Sequence, residues 1–248
     1  EPYFKPGEYG GEELSGTEHL TWISPSPDGS KIAFIRHRTP GGVDPINQLW
    51  ISDADGNNAE CISYNVLNAN WNPDGETIAI TYNPHTTPYT YLFTLNLRTQ
   101  ELKLWNSKQE FFFNKSVEAT VGWFSDGERL LIGVNAIAYQ QQYERGIYIL
   151  NIKDSTQVGP LKVLFTPAQL GNNDTWVVGL QYGTQDNPRL NKSRALFNIE
   201  TSEFNWLTTY NYPSDSLTLY IGYPAVNPQG AEIILPKYVD NAWQLFEL

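Results

Sequence analysis

The chain has 248 residues, 40 % hydrophobic and 14 % aromatic, enough to bury a continuous core, and no apolar run approaches the eighteen or more residues of a helical membrane span. Its 27 acidic and 16 basic side chains give a net charge of −11, which argues against nucleic acid or an anionic membrane as partner, because phosphate binding rests on Lys and Arg. A single cysteine, Cys61, excludes an intramolecular disulfide scaffold and suits a small buried hydrophobe in a strand.

The first segment, EPYFKPGEYGG, has Pro, Gly and acids without apolar periodicity and reads as an irregular arm. Because the chain starts at Glu1 and contains no methionine, a mature or excised product is expected. After the arm, one hairpin phrase recurs: Ser26-Pro27-Asp28-Gly29 before KIAFI, Asn72-Pro73-Asp74-Gly75 before TIAIT, Phe124-Ser125-Asp126-Gly127 before RLLIG, and Asn227-Pro228-Gln229-Gly230 before EIILP. Proline presets φ for a turn, and Asp-Gly supplies a side-chain hydrogen bond and a positive-φ position. The Ile- and Leu-rich run that follows is short enough for a buried strand and too short for a helix.

Further along each unit comes an aromatic-containing strand pattern: Gln48–Ile51, Tyr91–Leu95, Gly146–Leu150, Ala195–Ile199 and Trp243–Phe246. A polar turn and a further strand then follow in the first four units, as in Glu101–Trp105. With a short inner strand before each hairpin phrase, the unit has four antiparallel strands, and a four-stranded repeat of this length reads as a propeller blade. The turn glycines lie 46, 52 and 103 residues apart, so a degenerate copy is expected in the last gap, with Trp176–Tyr182 read as its inner and second strands run together.

The expected fold is therefore all-β: one propeller domain over residues 1–248, of five four-stranded antiparallel blades, with six as the alternative. The blades fall at about 17–63, 64–106, 107–166, 167–209 and 210–248, and residues 1–16 return to close the last one, removing an exposed edge.

SPSPDGSKIAFI followed by LWISDADGNNAECIS resembles the repeat of TolB-type β-propellers, most closely in the first unit and least in the fourth. Related blades occur in tricorn-like and prolyl-oligopeptidase-like propellers. The resemblance implies an extracytoplasmic module, periplasmic or at the cell surface, that binds a protein partner or a small ligand. Propellers host unrelated activities, so it implies the fold more than the function.

The chain has no Gly-x-Ser-x-Gly elbow, Gly-rich phosphate loop or His-Glu-x-x-His helix, and no cofactor or metal is expected. Asp53-Ala54-Asp55-Gly56-Asn57-Asn58 begins like a calcium loop but puts Gly at position four and Tyr64 at position twelve, so it reads as a hairpin turn. Asp28, Asp74 and Asp126 are equivalent by repeat and should each cap their own turn.

Functional residues should break the repeat. On inner strands these are His19, Asn68, Asn70, Glu118, Thr120, Trp176 and Tyr223, whose ordinary role would be to satisfy edge groups and channel water. In the insertions Thr39–Asn47, Asn83–Thr90, Ala136–Arg145 and Gly183–Ser193, all between second and third strands, they are Tyr89, Tyr139, Tyr143 and Arg189, types enriched at binding hot spots. Together they suggest a non-enzymatic module whose channel mouth or rim takes a protein, small ligand or sugar. The alternatives are a carbohydrate-active or metal-dependent propeller enzyme using Glu118 and His19, and a propeller fragment of a larger peptidase.

Overall fold

A computed structural model describes residues 18–38, 46–83, 90–105, 118–135, 146–161, 165–170, 174–181, 193–208, 225–226, 233–239 and 242–247. Among them there is no helix. The first sheet comprises β1 (Glu18–Pro25), β2 (Lys31–Arg38), β3 (Ile46–Asp53) and β4 (Glu60–Tyr64), and the second β5 (Val66–Trp71), β6 (Thr77–Tyr82), β7 (Tyr91–Asn96) and β8 (Leu102–Leu104). A third contains β9 (Glu118–Trp123), β10 (Arg129–Asn135), β11 (Gly146–Asn151) and β12 (Thr156–Leu161), and a fourth β13 (Phe165–Leu170), β14 (Trp176–Gln181), β15 (Ser193–Asn198) and β16 (Phe204–Thr208). Finally β17 (Ala225–Val226), β18 (Ile233–Val239) and β19 (Ala242–Glu247) make a sheet of three described strands. Each sheet is a meander in which strands lie beside their sequence neighbours. Residues 1–16, expected to close the last blade, fall outside the described residues.

The repeat is visible in its hydrogen bonds. Gly29, Gly75 and Gly127 donate their N–H to the carbonyls of Ser26, Asn72 and Phe124 at 2.9–3.0 Å, closing three equivalent turns. All three glycines have φ between 66° and 71°, which L side chains adopt at a cost. At the far end of each hairpin, Lys31 pairs with Asp53, Thr77 with Asn96, Arg129 with Asn151 and Trp176 with Asn198. The next residue then donates back across the sheet, Ala54 to Ser30, Leu97 to Glu76, Ile152 to Glu128 and Ile199 to Thr175.

That register locates the degenerate fourth turn and corrects the sequence reading. Trp176–Gln181 is the second strand alone, and the inner strand is β13, five residues upstream. Asp174 stands where the other turns have glycine, 47 residues after Gly127, with a φ of 57°. The Pro-Asp-Gly signature is missing because aspartate carries the left-handed position.

The chain divides into two compact units, Glu1–Val121 and Gly122–Leu248, with the boundary inside β9. In the first unit, alternate residues of β2 and β3, Ala33, Ile35, Leu49 and Ile51, meet Val66, Ala69 and Trp71 of β5, Ile78 and Ile80 of β6, and Phe93 and Leu95 of β7. Trp71 crosses this seam, its indole Nε1 donating to the Ser24 carbonyl at 3.2 Å. Ile78, Ala79, Ile80 and Thr81 are all at most 1 % exposed, so β6 is buried on both faces, which explains its unbroken apolar run. In the second unit Phe124, Leu131 and Ile147 pack against Leu170, Val177 and Phe197 of the fourth sheet.

Gln100, Ser155 and Ser202 occupy equivalent places in the turns between third and fourth strands, with φ of 59–60°. Their φ favours glycine, so each of Gln100→Gly, Ser155→Gly and Ser202→Gly is expected to stabilise the protein by up to about 1 kcal/mol, read as a raised urea midpoint with unchanged slope.

Candidate functional site

The residues that recur serve the turns. Asp28 Oδ1 accepts from the Ser26 hydroxyl (2.7 Å), the Ser30 N–H (3.0 Å) and the Ser30 hydroxyl (2.9 Å). Asp74 Oδ1 accepts the N–H groups of Glu76 and Thr77, and Asp126 Oδ1 those of Glu128 and Arg129. The calcium-like tract is a hairpin turn between β3 and β4: Gly56 N–H donates to the Asp53 carbonyl, Asn57 donates to both Asp55 carboxylate oxygens, and Asn58 Nδ2 donates to Asp53 Oδ2. Among the described residues, no three His, Cys, Asp or Glu side chains gather as a metal site.

These bonds leave an acid signature. The Ser26 hydroxyl, then the Ser30 N–H and hydroxyl, stabilise the charged form of Asp28 and bring its pKa from 3.8 down to about 2. Because the folded pKa lies below the unfolded one, the carboxylate stabilises the protein fully above pH 4 and loses that contribution as pH falls through about 2. NMR titration should find the Asp28 carboxyl midpoint near 2, and Asp28→Asn should flatten this part of the acid-unfolding curve.

The inner-edge strands are shaped differently. In β1 the register slips between Leu20 and Trp22, leaving Thr21 as an extra residue, and in β5 it slips between Val66 and Asn68, leaving Leu67. Both bulges stand at the same distance from their turns, and Leu67 is 37 % exposed. A bulge re-aims the side chains beyond it. In β1 it brings His19 opposite His37, a cross-strand pair that simple hairpin counting from the turn would miss. His37 Nδ1 in turn lies 2.7 Å from Asn47 Oδ1 on β3. Beyond the second bulge, Asn70 Nδ2 donates to Asn68 Oδ1 at 2.9 Å, making a half-buried amide pair along β5.

The remaining candidates are distributed as follows. Glu118 and Thr120 are the first and third residues of β9, an inner-edge strand. Trp176, expected on an inner strand, instead opens the second strand β14 opposite Asn198, because the turn before it is built on Asp174 in place of glycine. Tyr89, Tyr139, Tyr143, Arg189 and Tyr223 lie outside the described residues. The element bounds do put all four insertions between a second and a third strand: β2–β3, β6–β7, β10–β11 and β14–β15. At the foot of the β6–β7 connection, Tyr82 and Tyr91 face each other with ring centroids 6.3 Å apart, and both approach Phe93 within 6.4 Å. Burial raises the Tyr82 hydroxyl pKa above its usual value. Both tyrosine rings belong to an aromatic cluster on the packed face of the second sheet.

No family model matches the chain, and no curated protein matches it in sequence. Solved structures match it in fold. The β-propeller domain of the Trilobed protease from Pyrococcus furiosus is 16 % identical with a TM-score of 0.57, over 92 % of this chain and 66 % of that one. Pyrococcus horikoshii acylaminoacyl peptidase is 13 % identical with a TM-score of 0.53, over 93 % of this chain and 38 % of that one. Oligogalacturonate lyase from Vibrio parahaemolyticus is 14 % identical with a TM-score of 0.62, over 95 % of this chain and 66 % of that one. The chain thus spans about two thirds or less of the length of each. The shared architecture is the all-β, β-propeller fold; at these identities it carries no activity with it.

Proposed function

We propose that the chain is a non-catalytic binding module, a TolB-like propeller acting outside the cytoplasm, that takes a protein partner or a small ligand such as a sugar. The observation that supports this reading is the division of labour in the first three repeats. There the connections between first and second strands are tight turns whose Asp side chains are engaged in backbone capping, whereas those between second and third strands are long and share no motif. Binding would use the latter connections, with Tyr89, Tyr139, Tyr143 and Arg189, together with inner-edge residues His19, Asn68, Asn70, Glu118, Thr120 and Tyr223.

Calorimetric titration with oligogalacturonates and with an oligopeptide library, run beside turnover assays on the same compounds, tests this reading. Saturable binding to one class without turnover is expected, weakened about fivefold when the amide pair is removed in Asn68→Ala/Asn70→Ala. Turnover by the purified chain that disappears on substituting Glu118 would replace it with the carbohydrate-active alternative. A second reading, the propeller part of a larger peptidase, is favoured by one observation. The chain aligns over 97 % of its length with 22 % of the tricorn protease, and over 93 % with 38 % of the acylaminoacyl peptidase. It predicts binding of peptides rather than sugars.

A further inference from the structure

The fourth turn replaces glycine by an aspartate in a left-handed conformation, and that aspartate reaches across to the neighbouring sheet. Asp174 Oδ1 accepts the Ser125 N–H at 2.8 Å and Oδ2 accepts the Ser125 hydroxyl at 2.5 Å. Arg129 stands beside the pair, its Nε donating to Asp126 and its Nη2 lying 4.0 Å from Asp174 Oδ2, while its guanidinium covers the Phe124 ring at 4.2 Å. Phe124 is fully buried and belongs to the core between the third and fourth sheets, with Leu131, Ile147, Leu170, Val177 and Phe197. An ionic, partly exposed clasp thus closes one end of this seam directly over its apolar core.

The corresponding seam in the other unit is tied differently. There the turn glycine, Gly75, has no side chain to offer, and the sheets are joined by the buried Trp71 indole donating to the Ser24 carbonyl. A buried neutral bond under an aromatic ring opens only when the packing opens. A carboxylate at the surface can exchange its donors for water without disturbing the core first.

We propose that the seam between the third and fourth sheets is a releasable joint of unit 2, held shut by Asp174 gripping Ser125, and that it parts locally when this grip is lost. The departure of the fourth turn from the repeat is then a device: the free energy of holding aspartate left-handed is offset by the two charge-assisted bonds it makes across the seam. Asp174→Gly relieves the backbone conformation and restores the turn residue of the other repeats, so a purely local view expects a tighter structure. The joint demands the opposite.

Native-state hydrogen exchange on the full chain, followed by mass spectrometry, separates these views. Asp174→Gly should speed exchange of β10, β13 and β14 amides about tenfold and Ser125→Ala about fivefold, with β5 and β6 of the first unit unchanged. Ser125→Thr, which keeps both donors, should exchange as the parent does, and Ser125→Ala/Asp174→Gly should be no faster than Asp174→Gly. The proposal fails if Asp174→Gly slows exchange or changes it less than twofold, if the acceleration is equal in β5 and β6, or if Ser125→Thr behaves like Ser125→Ala. Should Asp174→Gly not fold, the Ser125→Ala and Ser125→Thr pair decides alone.

Discussion

Replacing Trp71 by alanine is expected to lower the stability of the protein by about 3–5 kcal/mol, a large share of the roughly 5–15 kcal/mol that a domain typically has. The ring is 7 % exposed and sits among Val66, Ala69, Ile78 and Phe93 on one side and Ala33, Ile35 and Leu49 on the other. Removing it leaves a cavity between two sheets that cannot collapse toward each other without breaking ladders, so the cost belongs at the upper end of the range for aromatic truncation. Trp71→Phe separates packing from hydrogen bonding. It keeps most of the apolar volume and loses the bond to the Ser24 carbonyl, for about 1–2 kcal/mol. Urea unfolding of the two variants checks both values. A Trp71→Ala cost below about 1 kcal/mol would mean that the first and second sheets are not packed as described.

Gly159→Ala is expected to cost about 3 kcal/mol or more, through backbone rather than cavity effects. Gly159 lies in β12 with a φ of 128°, a region essentially reserved for glycine, and the following Pro160 restricts it further. A Cβ there would stand 2.8 Å from the Ile147 carbonyl oxygen and 3.1 Å from Tyr148 Cα. Those are backbone atoms of β11, which cannot swing aside as a side-chain tip could. The same position carries the register slip between β11 and β12, so the variant either distorts the ladder or moves the edge strand off it. Gly56 provides the comparison: its φ is also positive, at 84°, but nothing lies within 4 Å, so Gly56→Ala should cost only about 1 kcal/mol. Equal effects at the two glycines would contradict the close approach at Gly159.

The elements that could be read from the sequence are those with local causes. The Pro-Asp-Gly turns, the apolar second strands and the aromatic third strands each result from a few adjacent residues, and β2, β3, β6, β7, β10 and β11 lie where that chemistry puts them. The fourth turn was not legible, because Asp174 adopts its conformation with help from Ser125, 49 residues earlier, and no local rule contains that partner. Trp176 was therefore assigned to the wrong strand. The pairing of His19 with His37 failed to show for a related reason: it depends on one extra residue, Thr21, and a bulge leaves no mark that distinguishes it from a regular strand. For the candidate site the sequence offers only positions, between second and third strands and along inner edges. Which of these side chains converge is a matter of long-range packing, which periodicity and turn chemistry do not encode.

Because every described strand pairs with the one before or after it in sequence, the hydrogen-bonded ladder of each described sheet closes as soon as its own residues have emerged during synthesis. Ties such as Trp71 to Ser24 and Ser125 to Asp174 must wait, and they span 47 and 49 residues, about one repeat. Within each unit the sheets can accordingly be assembled from the amino end like courses of brick, and a lengthened connection between second and third strands would delay one course without unsettling those already laid.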